Sequence, residues 1–296
     1  MEVTLGSAIQ ITVAGLALGS TYALLLLGVL IVYRVSRAVN FSQGQLGMAS
    51  AFVAYGMYRN GAFPIWLALV LGIFFATLIS LLTQRVFVER LSRKGKLEGQ
   101  DLVVTLGIML LLTASAETLL GSQTQSFVQL GTESQFSVGS AVINANQISV
   151  FIATGLLLIV FGKFLKTRAG VAMRASSLDP DLAKSFGTNV DRVRSLTWAA
   201  SGLIAGVAGI VVASRLSVDP YYMTPFLIST FIAGIIGGLD RFVMPLLIAF
   251  ALALYQVWSE FLWGSNYGTA SLFILIIVLL GILPKRFLAE KSEARA

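Results

Sequence analysis

The residue types that carry most enzyme chemistry are missing, for the 296-residue chain has no Cys and no His. A disulfide framework, a thiolate nucleophile, a Cys/His metal site and a histidine proton relay are therefore all excluded. The residues still able to do chemistry form three groups. Glu117 and Glu260 are the acidic residues inside apolar runs, each near one end of its run. They either face water or pair at the periphery, or supply a working carboxylate at an outer vestibule. The stretch Asn40-Phe41-Ser42-Gln43-Gly44-Gln45 puts amides and a hydroxyl at the start of another apolar run. Unpaired amides are costly to bury, so these groups must face one another, a neighbouring helix or a water-filled path. Interfacial capping by Asn40 and Ser42 is the alternative. The third group is a basic loop from Thr167 to Asn189. Within it, Asp179-Pro180-Asp181 is a helix start, with a cap, a proline in the first turn and an acid at the positive dipole end. Gly187 is placed to stop that helix. The loop is either a solvated connector or a short capped helix exposing Leu182, Ala183 and Phe186 as a knob for a partner's groove.

These groups are carried by membrane segments. Hydrophobic residues make up 56% of the chain and charged residues only 12%, against about 25% charged in an ordinary soluble domain. Apolar runs long enough to cross a hydrocarbon core recur along the whole length. The fold class expected is all-α, a polytopic membrane protein with nine transmembrane segments. They are Ala8–Tyr33, Phe41–Tyr58, Pro64–Val88, Asp101–Leu120, Gln147–Leu165, Leu196–Ser214, Thr224–Leu239, Phe242–Leu262 and Thr269–Leu283. The second, seventh and ninth are short, and the second and seventh are candidates for broken or re-entrant segments. Ala8–Tyr33 is too long for a signal-peptide core and follows Glu2 rather than a basic region, so it is read as retained.

Charge sets the orientation. With the N-terminus outside and the C-terminus cytoplasmic, 19 of the 21 Lys and Arg residues fall on the inner side, leaving only Arg59 and Arg215 outside. The net charge of +7 thus reflects membrane topology and implies no nucleic acid. Gly15/Gly19 and Gly202/Gly206, the latter beside Ala205, Ala208 and Gly209, have the small-xxx-small spacing that lets helices pack closely in lipid. Gly234, Gly237 and Gly238, just before Asp240-Arg241, mark a break or tight turn at the inner face.

Read together, these motifs carry a resemblance. Gly15-Leu-Ala-Leu-Gly19-Ser-Thr-Tyr22-Ala-Leu, leading to Asn40-Phe41-Ser42-Gln43-Gly44, resembles the permeases of the branched-chain amino-acid type ABC importers. The loop Thr167-Arg168-Ala-Gly170, with Arg174-Ala175, Ala183 and Gly187, is similar to that family's coupling segment, here residues 167–194. The run Ser201–Gly209 and the pair Gly237-Gly238 fall where the family has them. Two departures stand out: Ser42-Gln43 replaces a usual Ala-His, and Asp240-Arg241 follows the glycine pair instead of further small residues.

The resemblance implies that residues 1–296 form a single ABC importer transmembrane domain in a bacterial or archaeal cytoplasmic membrane. It implies pairing with a homologous permease or a second copy, ATP-binding cassette ATPase subunits on the cytoplasmic side, and an extracytoplasmic solute-binding protein. Residues Thr167, Arg168, Gly170, Arg174, Ala175, Ala183 and Gly187 would couple to the ATPase, while Tyr22, Asn40, Phe41, Gln43 and Gln45 would shape the path. No cofactor is implied, and the chain itself would not be an enzyme. It has no Gly-x-x-x-x-Gly-Lys-Ser/Thr phosphate loop, so ATP hydrolysis is expected in a partner. The solute would be a branched-chain or related amino acid, though urea and short amides are carried by relatives. A secondary transporter or channel working alone is the alternative, to be marked by an ion site and inverted repeats. A membrane-embedded enzyme is the weakest reading, with no His, no Cys and only peripheral acids in the apolar runs.

Overall fold

A computed structural model describes residues 4–61, 63–93, 99–121, 123–127, 135–138 and 141–282. Lys94, Lys96 and the basic cluster Lys285, Arg286, Lys291 and Arg295, with Leu283 at the end of the ninth expected segment, lie outside the described residues. The chain runs through α1 (Leu5–Ser36), α2 (Gln43–Arg59), α3 (Ile65–Leu82), α4 (Glu89–Arg93), α5 (Gln100–Leu120), α6 (Ala145–Phe164), α7 (Arg168–Leu178), α8 (Pro180–Ser185), α9 (Val190–Ala213), α10 (Thr224–Gly237), α11 (Val243–Trp263) and α12 (Ser265–Ile282). A π-helical stretch, Thr83–Val88, joins α3 to α4. A helix overlaps each of the nine apolar segments, because an apolar run with no water to satisfy its backbone must bond within itself. Among the described residues six helices are long and apolar enough to cross a membrane. The protein is therefore a mostly helical, multi-pass membrane protein.

Short strands depart from the all-α expectation. They are β1 (Gln125–Ser126), β2 (Gln135–Val138), β3 (Ala141–Asn144) and β4 (Ser217–Val218). β2 and β3 form an antiparallel hairpin, and β1 pairs with β4, tying the α5–α6 connection to the α9–α10 connection.

The centre is formed by α1 and α9, whose apolar stretches are mostly buried, while α3, α5, α6 and α11 turn most of theirs outward. Two hydrogen bonds show that α1 and α9 are antiparallel: Ser201 Oγ donates to the Gly28 carbonyl and Trp198 Nε1 donates to Ser36 Oγ, both at 3.0 Å. Each of these two helices carries the same pair of neighbours. Against α9, α2 runs parallel (Gln43 at Ser201, Gly47 at Gly209) and α3 antiparallel (Ser80 at Trp198, Ile73 at Gly206). Against α1, α10 runs parallel (Thr230 at Tyr22, Gly234 at Leu26) and α11 antiparallel (Leu254 at Gly15, Phe250 at Gly19). The unit α1-α2-α3 and the unit α9-α10-α11 are thus related by inversion, each unit's long helix packed on the other's later pair. Both glycine pairs read from the sequence lie at these crossings.

Candidate functional site

The basic ends of α1, α6 and α9 converge with α7 and α8, so the Thr167–Asn189 loop is not a loose connector. Thr167 caps α7, its Oγ1 accepting from the Gly170 amide at 3.3 Å. Asp179 caps α8, its Oδ1 accepting from the Asp181 and Leu182 amides, both at 3.0 Å. Gly170 is required by packing, since a Cβ there would lie 2.3 Å from the Phe164 carbonyl oxygen. Gly187 is required by conformation, with φ of +81°, and it closes α8 as its amide donates to the Lys184 carbonyl at 2.9 Å. Asn189 then caps α9 through the Arg192 amide at 2.9 Å.

Of the three residues expected to form a knob, two do. Phe186 is 82% exposed and Leu182 is also exposed, joined by Leu178 at 86%. Ala183 is a correction: it is 4% exposed and buried. It faces inward because Leu182 and Phe186, one turn apart, share the outer face of α8. Arg168, Arg174 and Ala175 lie on α7, whose Met173 is buried against the end of α6.

Sequence reading missed what links this segment to the helices. Arg37 follows α1 with φ of 54°, a left-handed conformation uncommon outside glycine. It pairs with Asp240 in the α10–α11 turn, and its Nη2 donates to the Ser177 carbonyl, in the last turn of α7, at 3.4 Å. Arg34 lies 4.4 Å over the ring of Phe242, which packs edge-on against Phe161 of α6 at 5.0 Å. The α10–α11 turn, where Gly238 has φ of +83°, is therefore held by the end of α1 and by α6, and Arg37 links it on to α7. The only sequence signal was the oddity of Asp240-Arg241 after the glycine pair.

The Asn40–Gln45 stretch forms a buried polar knot. Asn40 Oδ1 accepts from the Ser42 hydroxyl at 2.6 Å and the Ser42 amide at 3.1 Å, and Asn40 Nδ2 donates to Gln43 Oε1 at 3.2 Å. The Ser201 hydroxyl also reaches Gln43 Oε1, at 2.7 Å, while Gln43 Nε2 donates to the Ser201 carbonyl at 3.2 Å. Asn40, Ser42, Gln43 and Gln45 are all buried, while the ring of Phe41, half-buried, lies 4.7 Å from that of Phe231 of α10, tilted by 34°. Because Gln43 sits at Gly28, eight residues before Ser36, α2 begins about 12 Å back from the end of α1. The chain thus leaves α1, doubles back through residues 37–42 and starts α2 in the middle of the bundle. α10 starts at the same level from the other side, Thr224 Oγ1 accepting from Gln45 Nε2 at 3.2 Å.

Tyr22, also buried, leads elsewhere. Its hydroxyl donates to Gln256 Oε1 at 2.6 Å, and Gln256 Nε2 donates to Glu260 Oε1 at 3.0 Å. At the end opposite the basic one, Tyr221 OH donates to Glu117 Oε1 at 2.7 Å. That carboxylate holds the exposed phenol above its ordinary range, because ionising it would give up the hydrogen bond and also set two negative charges together. Both acids of the apolar runs are therefore hydrogen-bonded. Among the described residues no three acidic side chains group to hold a metal ion.

Comparison with known proteins gives this arrangement relatives. Residues 11–283 match the family model described as the permease component of the branched-chain amino acid transport system. The chain is 27% identical over 273 residues to the probable branched-chain amino acid transport permease LivH of Methanocaldococcus jannaschii, covering 87% of this chain and 85% of that protein. It is 26% identical over 290 residues to the Escherichia coli high-affinity branched-chain amino acid permease LivH, covering 93% and 94%. Identity is 24% to BraD of Pseudomonas aeruginosa, the corresponding high-affinity permease, covering 95% and 96%. Among solved structures, a chain of PsaBC from Streptococcus pneumoniae in complex with Fab aligns with a TM-score of 0.52 at 12% identity, over 94% of this chain and 93% of that one. This last likeness concerns the fold alone.

Proposed function

Because the chain belongs to the family of branched-chain amino acid transport permease components, we propose that it is the membrane subunit of an ATP-driven importer of branched-chain or related amino acids. It crosses the cytoplasmic membrane of a bacterium or archaeon nine times as a single transmembrane domain. Its N-terminus lies outside and its basic end inside, in accord with the distribution of Lys and Arg. ATP is hydrolysed by separate cassette subunits docked on residues 167–194. A second permease, homologous or identical, completes the path, and a solute-binding protein delivers the amino acid from outside.

The observation that carries this reading is the built knob of α7 and α8. Three large apolar side chains, Leu178, Leu182 and Phe186, stand exposed at the basic end on helices that are capped at their starts and closed by a left-handed glycine. Exposed apolar side chains on a rigid frame mark a docking surface. Thr167, Arg168, Gly170, Arg174, Ala175, Ala183 and Gly187 act in this coupling segment as frame and basic rim. Tyr22, Asn40, Phe41, Gln43 and Gln45 border the path, among α1, α2 and the helices α9, α10 and α11 that they touch. ATP binding draws the ATPase subunits together, and the knob passes that movement to the helices, exposing the path to each side in turn. The inverted repeat does not favour a solitary secondary transporter, since two inverted units serve any alternating-access scheme.

The test is co-purification from mild detergent, comparing wild type with a chain whose Ala175–Gly187 segment is a flexible linker. Wild type should bring down an ATPase and a second permease, and the linker variant should lose the ATPase alone. Purification of wild type without an ATPase would overturn the reading.

A further inference from the structure

The meeting point of α2 and α10 is more polar than its surroundings can satisfy. No side chain caps the start of either helix, although Gln43, Gln45 and Met223 at those starts are buried. A helix start leaves up to four N–H groups without an intrahelical acceptor and carries roughly half a positive charge. Of these, the Gln43 and Thr224 amides donate to the Asn40 and Tyr221 carbonyls and Pro225 has no N–H, which leaves the amides of Gly44, Gln45 and Phe226 free. Here two such starts touch. A Cβ on Gly44 would lie 3.2 Å from Leu227 Cβ and 3.4 Å from the Met223 carbonyl, and the Gln45 amide already bonds the first residue of α10 at 3.2 Å. Gln45 is 2% exposed, yet its Oε1 has no hydrogen-bond partner. The site is not sealed, since Thr224 is half-buried and Pro225 exposed.

Two unmet demands therefore stand side by side, a positive field that favours an anion and a lone acceptor that requires a donor. We propose that the paired starts of α2 and α10 bind the zwitterionic backbone of the amino acid in transit, its carboxylate on the free amides of the two first turns and its ammonium donating to Gln45 Oε1. A carboxylate alone leaves Gln45 Oε1 unmet, and an amine alone brings positive charge against two positive helix ends. Only a solute with both groups adjacent satisfies the site, so the permease checks the backbone whatever the side chain. This inference rests on the reading of the chain as an amino-acid permease and adds the place and manner of recognition.

Saturation-transfer NMR on the full assembly in nanodiscs, without the solute-binding protein, tests it with L-leucine, isopentylamine and isocaproate as probes. ATP-driven uptake of L-leucine is measured in parallel. Wild type should bind L-leucine at least about tenfold tighter than either single-charge analogue. Gln45→Leu removes the acceptor for a charged donor and should weaken L-leucine binding about tenfold or more. Gln45→Glu sets a negative charge at the helix starts, so it should weaken L-leucine and strengthen isopentylamine. This second variant keeps size and polarity, and it decides the matter if Gln45→Leu fails to assemble. ATP-driven uptake with wild-type L-leucine affinity in the variants overturns this site and leaves the importer reading standing. Absence of ATP-driven L-leucine uptake by wild type overturns both.

Discussion

Replacing Gly209 with alanine should part α2 from α9 and loosen the whole centre of the protein. The added Cβ would lie 2.0 Å from the Gly47 carbonyl oxygen, 2.2 Å from its carbon and 2.5 Å from Gly47 Cα. All three atoms are backbone, so no side chain can swing away. Ordinary contact begins at 3.4 Å, so the helices must separate by about 1.4 Å, and overpacking of that kind costs about 3 kcal/mol. The separation also stretches the two bonds between Gln43 and Ser201, each worth about 0.6 kcal/mol within a membrane. At roughly 2–4 °C per kcal/mol, the loss corresponds to a fall of about 10 °C in melting temperature. The assay is fluorescence-detected size exclusion after heating, beside uptake in vesicles. Gly162→Ala in α6 is the control, since a Cβ there meets nothing within 4 Å, and it should melt at or slightly above wild type. A Gly209→Ala protein with wild-type melting would refute the close-packed crossing and the inverted arrangement built on it.

Other outcomes follow from the basic end and the far end. Asp240→Asn should leave stability within about 1 kcal/mol, because the Arg37–Asp240 pair is half-exposed, yet lower the uptake achieved per ATP hydrolysed. The swapped pair Arg37→Asp/Asp240→Arg should recover part of that coupling, and a swap no better than the single change would rule out the link. Phe186→Asp should abolish ATPase co-purification while shifting stability by no more than about 0.5 kcal/mol, read from pull-down and melting together. Tyr221 should ionise above the ordinary tyrosine range, its bond to Glu117 made at neutral pH and lost as pH rises through that raised value. Glu117→Gln should bring the ionisation back toward the ordinary value in a tyrosinate absorbance titration.

The helices were legible in the sequence because apolar length is dictated by the membrane, whereas what lies between and beyond them was less so. The span expected to begin at Leu196 starts at Val190, since Asn189 caps it and its first turns, with Asp191, Arg192 and Arg194, are polar. The strands at the far end were unreadable because β1 and β4 are two residues each and pair across some ninety positions of sequence. Asn40, Ser42 and Gln43 were open to two readings, and the structure joins them in one knot whose partners, Gly28 and Ser201, lie on other helices. Ala183 was misplaced because six residues of α8 give too little periodicity to tell its buried side from its exposed one. Gly187 and Asp179 were plain, since a left-handed stop and a cap are local chemistry.

The most direct test of the central claim is uptake of radiolabelled L-leucine into proteoliposomes holding the co-purified assembly, with and without ATP at the basic face. The expected uptake requires ATP, requires the ATPase subunits and disappears when Ala175–Gly187 is a linker. Uptake by this chain alone, without ATP and unaffected by the linker, would contradict the claim.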